Sequence, residues 1–267
     1  DRLEAGDGDV TRIAKFEVTD RDWPTYRGDA ARSASTSVSV ARNAALRWSY
    51  KSSREHLTTV ATSAGGLIFT AGEDGIVRAI NAATGKIKWQ YATPSTIKYP
   101  PTIANGRAYF GSGDGYAYCV EAATGRLLWR FRAAPVERHI MVYGSLTSTW
   151  PVQTGVLVQD GVAYFAAGII DHDGTYVYAV DAKTGRLKWQ NNSSGHLSDE
   201  LRKGVSVQGN LTIRGKQLLL AGGNQVSPAA YDLATGECSA KPLTQGQPKA
   251  NNGKFVGVFA DKHAIIG

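Results

Sequence analysis

Acids, bases and aromatics gather in four stretches of this chain. They are Arg54-Glu55-His56, Lys98-Tyr99, Glu137-Arg138-His139 with Tyr143 and Trp150, and Asp171-His172-Asp173. The first three suit an anionic planar ligand, because Arg and Lys meet carboxylates and a Tyr or Trp face stacks on a flat ring. The same mixture of side chains also serves contact with a protein or a glycan. The fourth stretch offers the donors a divalent cation takes, but three adjacent residues on one turn rarely all face one ion. Asp171 and Asp173 are therefore weak metal candidates, and Glu73-Asp74 and Gly113-Asp114 at comparable places are explained by turn geometry. Covalent chemistry has no marker. Ser145, Ser148 and His139 share a stretch, but no GxSxG, HExxH, P-loop or CxxC pattern is present, and no catalytic residue is assigned.

These stretches lie between elements of a repeat. Three segments are near copies: AINAATGKIKW from Ala79 to Trp89, CVEAATGRLLW from Cys119 to Trp129, and AVDAKTGRLKW from Ala179 to Trp189. A weaker copy, AYDLATGECSA, runs from Ala230 to Ala240. In the first unit, Thr58 to Ser63 can form an inner strand, followed by alternating runs at 67–71 and 76–80 and a last run ending at Trp89-Gln90-Tyr91. Four short strands joined by tight turns make one propeller blade, so the chain reads as an all-β propeller of four-stranded antiparallel blades. Gly75, Gly115 and Gly174 supply positive φ in one hairpin of each blade, and Gly85, Gly125, Gly185 and Gly236 supply it in the other. Trp89, Trp129 and Trp189 each fall four residues after a turn glycine. An indole fixed in that register packs between blades, where its burial is worth about 4–6 kcal/mol before entropy. Trp48 fits the same place one unit earlier. Ala240 replaces the tryptophan in the fourth copy, so that blade should pack less firmly or end the regular array.

Turn glycines are spaced by 40 residues from Gly85 to Gly125, 60 from Gly125 to Gly185, and 51 from Gly185 to Gly236. The excess in the third unit falls between Phe131 and Val156, and long inserts in repeat proteins map to loops on one face, often the binding face. The second-to-third strand turns share that face with the blade-to-blade connections. It therefore carries Arg54, His56, Lys98, Tyr99, Arg138, His139, Tyr143 and Trp150.

Composition narrows the class. A chain of 267 residues with 42% hydrophobic content can build one sizeable core. The net charge of +7 sits largely in repeat turns, as in Lys86, Arg126 and Arg186, which is a solvated rim and argues against nucleic acid. No apolar run is long enough to span a membrane, and no stretch of the given chain reads as a signal peptide. Cys119 and Cys238 belong to different blades and are not expected to meet. Residues 1–21 read as a linker followed by a peripheral strand. Residues 22–267 read as four full blades, one outer strand before them (around Trp48) and half a blade after (Phe255–Ala260 and His263–Gly267). That count suggests an incomplete piece of a seven- or eight-bladed ring, whose open blade edge could pair between chains.

The unit A-x-D-x-x-T-G-K/R-x-x-W resembles the tryptophan-docking repeat of quinoprotein propellers. These comprise dehydrogenases that carry pyrroloquinoline quinone and their non-enzymatic relatives, the outer-membrane assembly lipoproteins. The match runs from about Trp23 to Ala240. Asp22-Trp23-Pro24-Thr25-Tyr26-Arg27-Gly28-Asp29 looks like the segment that opens those propellers, and Asn43 and Leu46 fit its continuation. In the enzymes the resemblance implies an eight-bladed chain about twice this length, a calcium site and often an adjacent cysteine pair. This chain has no Cys-Cys pair, and the calcium ligands do not match residue by residue. The resemblance thus favours a non-catalytic binding or interaction scaffold without cofactor, periplasmic or extracellular, with a protein, small anionic or carbohydrate partner on the loop face. One alternative is a quinone- and calcium-dependent dehydrogenase oxidising an alcohol or sugar, with Trp150 as the stacking residue. Another is a carbohydrate-binding or carbohydrate-processing propeller.

Overall fold

The structure is a computed structural model that describes residues 1–39, 42–51, 56–142, 144–198, 203–223, 225–240, 255–259 and 263–266. Its regular secondary structure is almost wholly antiparallel strands. A short strand β1 (Leu3–Ala5) precedes the array. The first sheet holds β2 (Thr62–Ala64), β3 (Leu67–Thr70), β4 (Ile76–Asn81) and β5 (Ile87–Ala92), in that spatial order. The second holds β6 (Thr102–Ala104), β7 (Arg107–Gly111), β8 (Tyr116–Glu121) and β9 (Leu127–Arg132), with β1 added outside β9. A separate hairpin follows, β10 (His139–Val142) with β11 (Ser145–Ser148). The third sheet holds β12 (Leu157–Gln159), β13 (Val162–Ala167), β14 (Tyr176–Asp181) and β15 (Leu187–Asn191). The fourth has three strands, β16 (Leu211–Arg214), β17 (Gln217–Leu220) and β18 (Ala229–Asp232), and β19 (Val256–Phe259) pairs with β20 (His263–Ile266) beyond it.

These sheets are blades packed face to face. The first strands β2, β6 and β12 lie side by side, as do β16 and β19. Each gap between blades is filled by apolar side chains from both neighbours. Phe69, Trp89, Phe110 and Tyr118 join the first two blades. Trp129, Phe131, Phe165 and Tyr178 join the second and third, and Leu157, Tyr164, Leu218 and Tyr231 join the third and fourth. The middle strands are therefore covered on both faces. All five residues of β7 are buried, although a strand with one wet face would alternate.

Each inter-blade contact repeats one motif. The indole N–H of Trp48 donates to Ala82 O at 2.9 Å, Trp89 to Ala122 O at 3.0 Å, Trp129 to Ala182 O at 3.2 Å, and Trp189 to Leu233 O at 2.9 Å. The acceptor stands three residues before Gly85, Gly125, Gly185 or Gly236. A Cβ on any of these glycines would lie 2.4–2.8 Å from the docked indole. The glycines, at φ between 71° and 76°, thus meet two demands, positive φ and room for a ring. The outer strands aim the tryptophan with a β-bulge. Pairing shifts so that Lys88, Leu128 and Lys188, each just before its tryptophan, are the extra residues.

Blade edges are treated unequally. Leu128 is buried under the N-terminal segment, where Gly6 and Gly8 donate to the carbonyls of Leu128 and Leu127 at 2.9 Å. The corresponding bulge residues on β5 and β15 are exposed lysines, which discourage pairing with another chain. The N-terminal strand lies before the Gly6–Asp9 stretch, not after it. Residues 10–18 run instead without strand structure beneath the first two blades, where Ile13 covers Gly106 and Phe16 covers Gly65. Among the described residues of the fourth blade the outer position holds a single bridge, Tyr231 to Cys238, and Ala240 packs against the core without an indole to offer. Leu46–Tyr50 is not a strand either, although Trp48 docks as expected.

The Trp129 contact is the most deeply buried of the set. Trp129→Ala should lower stability by about 3–5 kcal/mol. Trp48→Ala should cost less, because its indole is only half-buried. Urea denaturation of both variants, compared through their midpoints, checks the order.

Candidate functional site

The candidate residues predicted from sequence do not converge on one pocket. Arg54 and Tyr143 lie outside the described residues, and the others fall in three places. At the first blade, His56 Nε2 lies 3.3 Å from Asp74 Oδ2, and Arg78 donates to Asp74 Oδ1 at 3.3 Å. The neighbouring Glu73 accepts the Leu57 N–H at 3.2 Å, so this connection is fastened to the turn below it. Burial alone would raise the Asp74 carboxyl, but hydrogen bonds from Arg78 and the Ile76 N–H, with the charges of Arg78 and His56, leave it below the usual range.

Tyr99 is turned inward, while Lys98 is exposed. The Tyr99 ring meets Tyr26 edge-on with centroids 4.9 Å apart, and burial pushes its hydroxyl up to about 12. Tyr26 belongs to a segment, residues 23–32, that crosses the first strands of the blades. Trp23 exchanges backbone bonds with Ser63, and Pro24 O accepts from Ile103 N at 2.7 Å. Ala30 O accepts from Ile213 N at 2.9 Å and Ala31 O from Val258 N at 2.8 Å. Arg32 locks this segment. It donates to Leu211 O at 3.0 Å, Tyr26 O at 2.8 Å and Thr25 Oγ1 at 2.8 Å. Thr25 meets the Thr102 hydroxyl at 2.8 Å, and Thr102 donates onward to Val156 O at 2.6 Å. Burial brings the Arg32 guanidinium down to about 10, against the opposing influence of Tyr99, Asp29 and Tyr26, so it stays charged at neutral pH.

The third place is the long insert. Arg138 lies over the Trp150 ring, 4.6 Å from its centroid, pairs with Asp173 at 3.2 Å and donates to Thr149 Oγ1 at 3.0 Å. The Trp150 N–H donates to Asp173 O at 2.7 Å and its ring meets Tyr176 edge-on. One guanidinium therefore covers the tryptophan face a planar ligand would use, and the same contacts anchor the hairpin to the third blade. The proposed metal triplet is engaged as well. Asp171 accepts the Gly204 N–H at 2.9 Å, Asp173 holds Arg138, and among the described residues no three His, Cys, Asp or Glu side chains gather as a cation site.

The hairpin β10–β11 carries what the sequence reading missed. His139, predicted as a ligand residue, opens it as an exposed position. Val136 is 54% exposed, Ile140 39%, Met141 69% and Leu146 56%. Met141 and Leu146 are cross-strand partners. Backbone geometry holds the hairpin up: Ser95 Oγ donates to Leu146 O at 2.9 Å, and Ser148 N donates to Gly113 O at 2.7 Å. The available signal was Ile140-Met141-Val142, an apolar run inside an insert with no blade to fill.

Asp114 occupies the turn position of Asp74 in the second blade but is buried. Tyr118 donates to its Oδ2 at 2.6 Å and the Tyr116 N–H to Oδ1 at 3.0 Å, yet burial dominates and raises its pKa.

The family described as outer membrane protein assembly factor BamB matches residues 34–262, and the chain belongs to it. No curated protein matches the chain. Among solved structures it is similar to quinohemoprotein alcohol dehydrogenase from Comamonas testosteroni, at 19% identity and TM-score 0.68, covering 88% of this chain and 42% of that one. It is similar to a europium-containing methanol dehydrogenase at 14% identity and TM-score 0.64, covering 82% and 48%. BamB from Moraxella catarrhalis aligns at 18% identity and TM-score 0.50, covering 69% and 51%. These likenesses establish the propeller fold, and the chain spans about half, or less, of the length of these proteins.

Two outcomes follow from the geometry. Arg138→Ala should speed amide exchange across 138–149 by about fivefold, the loss of a partly exposed anchor worth roughly 1 kcal/mol, read by hydrogen exchange with mass spectrometry. For Asp114, the folded chain keeps its proton to higher pH than the unfolded chain does. Between those two values stability falls as pH rises. Asp114→Asn should remove that slope and so gain stability relative to the parent as pH rises, measured by urea denaturation at acid and neutral pH.

Proposed function

We propose that this member of the BamB family is a non-catalytic interaction scaffold that docks another protein on its loop face, with the hairpin β10–β11 as the principal contact. The observation that carries this reading is the exposed apolar cross-strand pair Met141–Leu146 on one face of that hairpin, with Ile140 exposed on β10 and Val136 exposed just before it. Exposed apolar clusters rimmed by polar groups favour protein contact. The rim is present in Glu137, Arg138 and His139, all exposed. Two bonds from neighbouring blades and the Arg138 anchor hold the hairpin in place, which lowers the ordering cost of binding. No helix among the described residues is long and apolar enough to cross a membrane. The family's name suggests a place at the bacterial outer membrane, on its periplasmic side.

The competing reading is a quinone- and calcium-dependent dehydrogenase, which the likeness to two dehydrogenases keeps in view. It needs a cluster of cation ligands and a free aromatic face. The described residues do not fit: none of their acids and histidines gather in threes, and Arg138 occupies the Trp150 face. A sugar site would also need an exposed ring, but Tyr99 packs on Tyr26 and Trp150 is buried.

A photo-reactive amino acid at position 146, in the full-length protein in its own host, tests the scaffold reading. A discrete protein adduct is expected at position 146 but not at Lys15 on the opposite side. Met141→Asp should reduce the adduct by about tenfold, the loss of one buried apolar contact. Equal labelling at both positions, or none at 146, would contradict it.

A further inference from the structure

Met141 is the chain's single methionine, and it is the most exposed apolar residue of the hairpin. The chain carries two other sulfur atoms. Cys119 is fully buried in the core, and burial raises its thiol pKa. Cys238 is partly buried beside Tyr231, and burial raises its thiol as well. A thiol must be deprotonated and accessible to react with a peroxide, so both cysteines are protected. A thioether needs no deprotonation and reacts wherever it is reached. Oxidation of sulfur in this chain is therefore directed to one atom, Met141 Sδ, beside Leu146 on the exposed face of the hairpin.

We propose that Met141 is a reversible oxidation site, and that its sulfoxide switches off docking through the hairpin. The second half rests on the scaffold reading. The reaction is oxygen transfer from hydrogen peroxide. The peroxide O–O bond breaks, an S–O bond forms on the thioether, sulfur gives up two electrons, and the peroxide departs as water. The product puts a strong acceptor and a large dipole where an apolar group stood. Its cross-strand partner Leu146 and neighbour Ile140 supply no donor side chain to satisfy that oxygen in an interface. Burying it against a partner then leaves an unpaired polar group, which is costly. Methionine sulfoxide reductases return the thioether, so the change is reversible.

The test exposes host cells carrying the photo-reactive residue at position 146 to hydrogen peroxide, then measures adduct yield and the oxidation state of Met141 by peptide mass spectrometry. Met141 should gain about 16 Da, one oxygen. Adduct yield should fall about tenfold, the loss of one buried apolar side chain, and recover after reduction by methionine sulfoxide reductase. Met141→Leu has no thioether to oxidise, so whatever adduct it forms should be insensitive to peroxide. A fully oxidised Met141 with unchanged adduct yield overturns the switch while leaving the scaffold reading intact. So does an equal peroxide-induced loss in Met141→Leu. Absence of any adduct before peroxide overturns both. Failure of Met141 to oxidise under conditions that oxidise a free methionine peptide overturns the site itself.

Discussion

An indole laid on a glycine turn of the next blade is the contact on which the rest of this structure depends. At each joint a glycine admits the indole and a carbonyl three residues earlier takes its N–H, and on β5, β9 and β15 a bulge aims the tryptophan. Each joint buries a large ring without leaving its one polar atom unpaired. The fourth repeat lacks the tryptophan, and among its described residues the outer position holds one bridge.

A second constraint acts at right angles to the first. Residues 23–32 cross the first strands and donate or accept backbone bonds at each of several blades, with Arg32 as the lock. A charged guanidinium is expensive to bury. It is tolerated here because four carbonyl and hydroxyl acceptors surround it, and because its hydrogen-bond relay through Thr25 and Thr102 reaches a third blade. With the outer rim held by tryptophans and the inner strands by this segment, the loop face carries little structural duty. It can support an insert that exposes apolar side chains without destabilising the array. That division of labour is why the scaffold reading and the fold agree.

Much of the fold was legible because the repeat writes the same geometry several times. Thr-Gly at a fixed distance from Trp forecasts a turn, a docked ring and a blade boundary together, and all three tryptophans behave alike. The candidate site was far less legible. Tyr99 was grouped with Arg138 because both lie in connections on one face, but its ring turns toward the axis, drawn by Tyr26 and the space over Gly155. Trp150 was read as a free stacking surface, and its partner Arg138 was already among the candidates. Sequence spacing gives no sign that the two would satisfy each other. The hairpin was read as a long insert on the binding face, without its strands or its exposed apolar side chains. Its strands are set by hydrogen bonds to the Ser95 hydroxyl and the Gly113 carbonyl, dozens of positions away, which no local pattern encodes.

The most direct measurement is an equilibrium titration of the full-length protein with pyrroloquinoline quinone, with and without calcium, followed by tryptophan fluorescence and quinone absorbance. A scaffold whose Trp150 face is held by Arg138 predicts no saturable binding in the micromolar range under either condition. Saturable, calcium-dependent binding would contradict it, and would require the Arg138–Trp150 contact to open into a cofactor site.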